Sequence, residues 1–195
     1  MDRIHSVDKL LQTGIDMMVA DGYHNTSINK VIQQAGLPKG SFYYLYKDKK
    51  AFAIAAIQQY ADDTVAAMDR IFDQPDVTPI ASIRQYFAAS IDKFQKTNYC
   101  QGCFLGNMSL ELSDVDEDFR AVIQQSLSRL SASVRKQLDL AVGNGSLKTG
   151  ANTAVLADLI INTWHGTLLR MKATRSRQPL DIFINDFFNQ ITCNI

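Results

Sequence analysis

Charge of one sign is not in surplus in this chain: 20 Lys and Arg balance 20 Asp and Glu, for a formal net charge of zero. That disfavours a generic polyanion binder, so any affinity for nucleic acid has to come from local clustering. No apolar run reaches about eighteen residues, so no membrane span is expected. The opening MDRIHSVDKLL carries acids and helical periodicity in place of a signal peptide's basic start and apolar centre. Three cysteines, an odd number, do not make a disulfide framework, and a cytoplasmic location is the expectation. Strand-period segments, internal repeats and low-complexity tracts are missing. So are a phosphate-binding G-x-x-x-x-G-K-[ST], a G-x-G-x-x-G and a nucleophile elbow. No enzyme is expected, and no cofactor is implied. What the chain does have is apolar content, 46% of 195 residues, enough to bury the core of one or two domains.

The most informative stretch is Ser27 to Lys50, SINKVIQQAGLPKGSFYYLYKDKK. Ile28, Val31, Ile32 and Ala35 recur at helical spacing and predict a helix from Ser27 to Ala35. Gly36 stops it, because glycine enters the left-handed region cheaply. Pro38 is placed to open a second helix, where its missing N–H costs nothing, with Ser41 to Tyr46 as the helical body. So short a helix is unstable alone and needs a partner helix, as in a helix-turn-helix. Five lysines (Lys30, Lys39, Lys47, Lys49 and Lys50) stand here against one anion, Asp48. Phe42 and Leu45, three apart, turn inward, which frees Ser41, Tyr43 and Tyr44 for phosphates and base edges. The bland alternative is a solvated surface helix; two adjacent tyrosines on a basic turn argue against it.

The run from Gly36 to Lys49, GLPKGSFYYLYKDK, resembles the signature of TetR-family transcriptional regulators, with Gly22-Tyr23 and Thr26-Ser27-Ile28 fitting the lead-in. Tyr46 stands where that family usually has Phe, and Leu45 where an aromatic or His is common. The resemblance is strong over the first fifty residues and elsewhere rests on length and helical layout. It implies an all-α protein: a three-helix, helix-turn-helix DNA-binding domain over residues 1–50, then a helical ligand-sensing and dimerisation domain over residues 51–195. The function implied is that of a DNA-binding regulator, expected to be a repressor. An inducer, or modification of Cys103, would favour a shape in which the recognition helices no longer fit the operator. Ser27, Asn29, Lys39, Gly40, Ser41, Tyr43, Tyr44 and Lys49 are the expected DNA-binding residues. Gly40 lets the backbone come close, and Lys39, Asn29 and Tyr43 are the candidates for base readout.

Along the rest of the chain, apolar periodicity predicts helices over Val7–Asp21, Lys49–Phe72, Ile80–Gln95, Gly102–Leu112, Phe119–Val142, Ala151–Thr174 and Leu180–Ile191. Thr26 or Ser27 is the expected cap of the first motif helix, and Ser113 or Asp114 that of the helix after the acidic run. The last two helices are apolar over more than one face, which predicts pairing with the same helices of a second copy.

Cys100-Gln101-Gly102-Cys103 is a C-x-x-C, but it has no second ligand pair for zinc and no βαβ setting for a redox motif. Cys103 near a helix start is placed for a lowered thiol pKa, yet a small buried hydrophobe is the commoner fate of a free cysteine. The Gly102-Cys103-Phe104 segment is similar to a TetR subgroup that includes repressors sensing electrophiles or oxidants through this cysteine. In that subgroup a lysine can support the thiol, and Lys172 is the matching position. Tyr86, Phe104, Met108, Trp164 and His165 are the expected lining of a ligand pocket, each equally readable as core. Two rivals stay open: an all-helical small-molecule-binding protein, and a protein–protein adaptor without a DNA role.

Overall fold

The computed structural model describes residues 3–193, with side chains described over 6–191. These residues form helices and connecting turns only: α1 Arg3–Asp21, α2 Ile28–Ala35, α3 Lys39–Leu45, α4 Lys49–Phe72, α5 Pro79–Lys96, α6 Phe104–Leu112, α7 Glu117–Gly143, α8 Thr153–Thr174, α9 Gln178–Asp181 and α10 Phe188–Cys193. The last two are joined without a break by a π-helical segment, Ile182–Phe187. Two compact units result. Unit 1 is Met1–Asp62 with Cys103–Leu127, and unit 2 is Asp63–Gly102 with Ser128–Ile195.

In unit 1, Leu10, Leu11, Ile15 and Met18 of α1 pack with Val31, Ile32 and Ala35 of α2 and with Phe42, Phe52, Ala53, Ala56 and Ile57. The helices come close at Gly14. A Cβ there would stand 2.4 Å from the Phe52 ring, so the bare Cα is what lets that ring lie across α1. α2 ends at Gly36, whose φ of 70° lies in the left-handed region, and the Leu37 N–H reaches back five residues to the Ile32 carbonyl at 3.2 Å. This closure is the one expected of a helix ended by glycine. Phe42 anchors the seven-residue α3: its ring lies 5.3 Å from that of Phe52 and 5.6 Å from that of Tyr46. Fully burying such a ring contributes about 1.5–3 kcal/mol, more than a helix this short gains from its own hydrogen bonds. Tyr46, half-buried, packs edge-on against Phe52 at 5.2 Å and so borders the core. Burial, and secondarily Asp8, raises the Tyr46 hydroxyl pKa above its ordinary value.

Unit 2 is built on rings. Phe87 of α5, Trp164 of α8 and Phe183 of the π segment stand 5.0–5.2 Å from one another, with Phe94 and Phe188 on the margins. Ile83, Leu138, Ile160 and Leu180 are fully buried in the same unit.

Several local expectations are corrected. Pro38 precedes α3 as its N-cap, with ψ of 141°, instead of starting it. Ser27 does take the N-cap of α2 as expected, but without a side-chain bond to the helix, and the Thr26 hydroxyl donates backwards to the Gly22 carbonyl at 2.7 Å. The cap of α7 is Asp116, not Ser113 or Asp114: its carboxylate accepts from the Asp118 and Phe119 N–H groups at 2.9 and 3.3 Å. α6 begins at Phe104, two residues later than expected, with Cys103 as N-cap.

Candidate nucleic-acid interface and sensing residues

α3 sorts its side chains sharply. Phe42 is 1% exposed, whereas Tyr43 is 53% and Tyr44 74% exposed. Burying the one ring turns the next two outward, since neighbours along a helix lie about 100° apart. Lys39 and Gly40, at the start of the helix, are exposed, and Ser41 is half-buried. No heavy atom lies within 4 Å of where a Gly40 Cβ would stand, so the protein itself does not require glycine there. The Lys39 ammonium lies 5.9 Å from the Tyr43 ring centre. On α2, Asn29 and Lys30 are exposed and Ser27 is half-buried. A groove of about 550 Å³ runs beside α3 and is lined in part by Ser41, Tyr44 and Leu45.

The lysines of the motif do not form one uniform patch. Lys49 donates to the His24 carbonyl at 3.1 Å and lies 4.5 Å over the Tyr23 ring. Burial lowers its pKa, opposed by the nearby Glu111 carboxylate. Lys50 bridges Asp116 and Asp118 at 2.7 Å each. Its hydrogen bonds to Asp116 and then Asp118 raise its pKa, and the same bond lowers that of Asp116. Lys30, Lys39 and Lys47 are exposed, while the half-buried Lys49 and Lys50 also make contacts within the unit.

Glu111, Asp116 and Gly14 were not singled out by sequence reasoning. Glu111 accepts from the backbone N–H groups of Tyr23 and His24, both at 2.8 Å and some 88 residues away along the chain. No local pattern announces such a bond. Gly14 interrupts an apolar helix, a signal of close packing that was there to be taken.

The expected sensing residues divide between the units. In unit 1, Phe104 and Met108 are fully buried, and Cys103 is half-buried with its Sγ 3.7 Å from the Tyr60 hydroxyl. The Tyr60 ring stands edge-on to Phe104 at 5.3 Å. In unit 2, Tyr86 and Trp164 join the ring cluster through Phe87, His165 is half-buried and Lys172 is exposed. α8 and the π segment carry exposed apolar side chains: Val155, Leu159, Leu169 and Ile182. A groove of about 490 Å³ lies there, lined among others by Thr163, Gly166, Arg170 and Ile182. Among the described residues no group of three or more His, Cys, Asp or Glu could hold a metal ion, and no helix is long and apolar enough to cross a membrane.

Known proteins share this layout. Residues 10–56 match the model for bacterial regulatory proteins of the tetR family, and residues 79–187 match that for the tetracyclin repressor-like C-terminal domain. The chain is 29% identical to the HTH-type transcriptional repressor DhaR of Mycobacterium sp. (strain GP1), over 93% of this chain and 90% of that protein. A regulatory protein TetR from Rhodobacter sphaeroides superposes with a TM-score of 0.85 at 25% identity, covering 93% of this chain and 96% of that one. The reduced form of Escherichia coli NemR shares the fold, with a TM-score of 0.87 at 23% identity and 96% of each chain covered.

Proposed function

This chain belongs to the TetR family of bacterial DNA-binding transcriptional regulators, and from that premise we propose that it is a homodimeric, cytoplasmic repressor. Residues 1–50 hold operator DNA and residues 51–195 carry sensing and dimerisation. In this reading Tyr43, Tyr44, Lys39 and Ser41 of α3 meet the duplex, with Ser27 and Asn29 of α2 assisting. Gly40 gives close backbone approach, and Lys49 supports from the start of α4. The single observation that carries it is the outward turn of Tyr43 and Tyr44 while Phe42 is sunk in the core. The repressor sign is supported by relatives named as repressors. Pairing through α8 and the last helical run is supported by the exposed Val155, Leu159, Leu169 and Ile182. Two linked recognition helices gain affinity over one by effective concentration.

The test is a gel shift with the protein's own promoter region. Wild type should give a salt-sensitive specific band, because each neutralised phosphate releases counterions. Tyr43→Ala and Lys39→Ala should each weaken it by about tenfold, or 1.4 kcal/mol. Retention of full affinity by both variants would refute the assignment.

For release, the reading is that a small-molecule inducer or modification of Cys103 stabilises a shape that does not fit DNA. The position of Cys103 at the N-cap of α6, half-buried beside Tyr60, supports the thiol arm. Within unit 1, Phe104 and Met108 are candidate ligand contacts beside that thiol; within unit 2, Tyr86, Trp164, His165 and Lys172 are the candidates. Cys103→Ser should keep operator binding and abolish release by a thiol-reactive compound. A variant that still lets go on exposure points instead to a reversible pocket ligand.

A further inference from the structure

The turn that leads into the helix-turn-helix is held from outside the motif. Tyr23 and His24 lie between α1 and α2, and their N–H groups point the same way after Gly22, whose φ is 82°. The two oxygens of the Glu111 carboxylate meet those N–H groups one each, at 2.8 Å. A carboxylate that accepts two backbone bonds makes charge-assisted contacts stronger than neutral ones. The place is also sterically exacting: a Cβ at position 22 would stand 3.1 Å from that carboxylate.

The held turn in turn holds a lysine. Lys49 donates to the His24 carbonyl at 3.1 Å and sits 4.5 Å over the Tyr23 ring. That ring is braced edge-on by Phe119 at 5.3 Å. Glu111, Tyr23, His24 and Lys49 therefore form one chain of contacts from α6 to the first turn of α4. None of these bonds involves the exposed face of α3.

We propose that Glu111 is a positioning residue for DNA binding. Its carboxylate fixes the α1–α2 turn and, through it, sets the direction of the Lys49 ammonium. The assignment rests on the operator-binding reading above. Alanine at 111 leaves both N–H groups without this acceptor and glutamine keeps one oxygen for the two, so the turn samples more conformations, whose ordering must then be repeated on each binding event. α6 also carries Cys103 at its opposite end, eight residues or about 12 Å away. A disturbance at the thiol thus has a single short helix by which to reach the turn.

The experiment uses the full-length protein with Glu111→Gln, which keeps the side-chain shape, and Glu111→Ala. Circular dichroism selects preparations that are as helical as wild type. Amide hydrogen exchange of the segment 22–27 should speed up by about tenfold in both variants, while exchange in the middle of α1 stays unchanged. Binding to a fluorescein-labelled duplex of the chain's own promoter region should weaken by about tenfold. The slope of log affinity against log salt should become shallower by about 1, the signature of one lost phosphate contact that a general loss of folded protein does not produce. In a Lys49→Ala background, Glu111→Gln should add less than twofold, because both act through the same ammonium.

Unchanged exchange at 22–27, unchanged affinity and slope, or full additivity with Lys49→Ala each overturns the role of Glu111. If wild type itself shows no salt-sensitive binding, the operator reading falls and takes this assignment with it. Normal wild-type binding beside an unaffected Glu111→Gln removes the assignment alone.

Discussion

Units 1 and 2 use different means to hold their helices. In unit 2, Phe87, Trp164 and Phe183 pack ring against ring at 5.0–5.2 Å, with a polar bond from Arg84 to Asn185 at the periphery. In unit 1 the edge of the apolar core is fastened by charge: Glu111 on the Tyr23 and His24 amides, Lys50 between Asp116 and Asp118, Lys49 over Tyr23. Ring packing resists deformation because close-packed interiors have few alternatives. Exposed ion pairs contribute little stability but are directional, and they respond to salt and protonation. A unit that meets a rigid duplex, as proposed for unit 1, gains from directional fastening at its periphery.

Three changes break or sharpen that contrast, from largest effect to smallest. Phe183→Ala removes the ring shared by Phe87, Trp164 and Phe187 and should cost about 3–5 kcal/mol in urea unfolding. A loss below about 1 kcal/mol would show that unit 2 is not held by its rings. Gly40→Ala is expected to move two quantities in opposite directions. Alanine meets nothing within 4 Å and favours the helix, so stability should rise by up to about 1 kcal/mol, while operator affinity falls because the new methyl group faces DNA. A rise in both would place the duplex elsewhere.

The smallest effect is a pH dependence. Hydrogen bonding to Lys50 lowers the Asp116 pKa in the folded state relative to its ordinary value. Its stabilising contribution is therefore present above the unfolded-state carboxylate pKa, about 4, and is lost as pH falls through the lower folded value. Asp116→Asn should thus melt below wild type at pH 7, and the two melting curves should converge as pH drops below about 4. A gap independent of pH would mean that the Asp116 charge contributes nothing to stability.

Most of the helical layout was legible because apolar periodicity is a local property. The α5 stripe of Ile83, Phe87, Ile91 and Phe94 placed that helix to within a residue at each end. The inward Phe42 and outward tyrosines were legible for the same reason: one strongly apolar ring in a seven-residue helix fixes its rotation. Caps were read less well, because Ser113, Asp114 and Asp116 are all competent and only the entry angle of α7 decides among them. The Glu111 bond was invisible, since a glutamate on an apolar helix gives no sign of a partner 88 residues earlier. A large side chain on a regulatory helix signals core as readily as pocket, and Phe104 and Met108 are fully buried.

The π-helical stretch Ile182–Phe187 explains part of what looked like surplus apolar surface in the last helix. Its wider turn seats Phe183 and Phe188, five residues apart, in the same ring cluster, at 1% and 2% exposure. In effect one additional residue is accommodated upstream, and each residue dropped from or added to a helix rotates everything after it by about 100°. The side that α10 turns outward is thus dialled by the width of the coil before it, so a single-codon deletion there would swing the whole terminus to a new heading while leaving its own amino acids untouched.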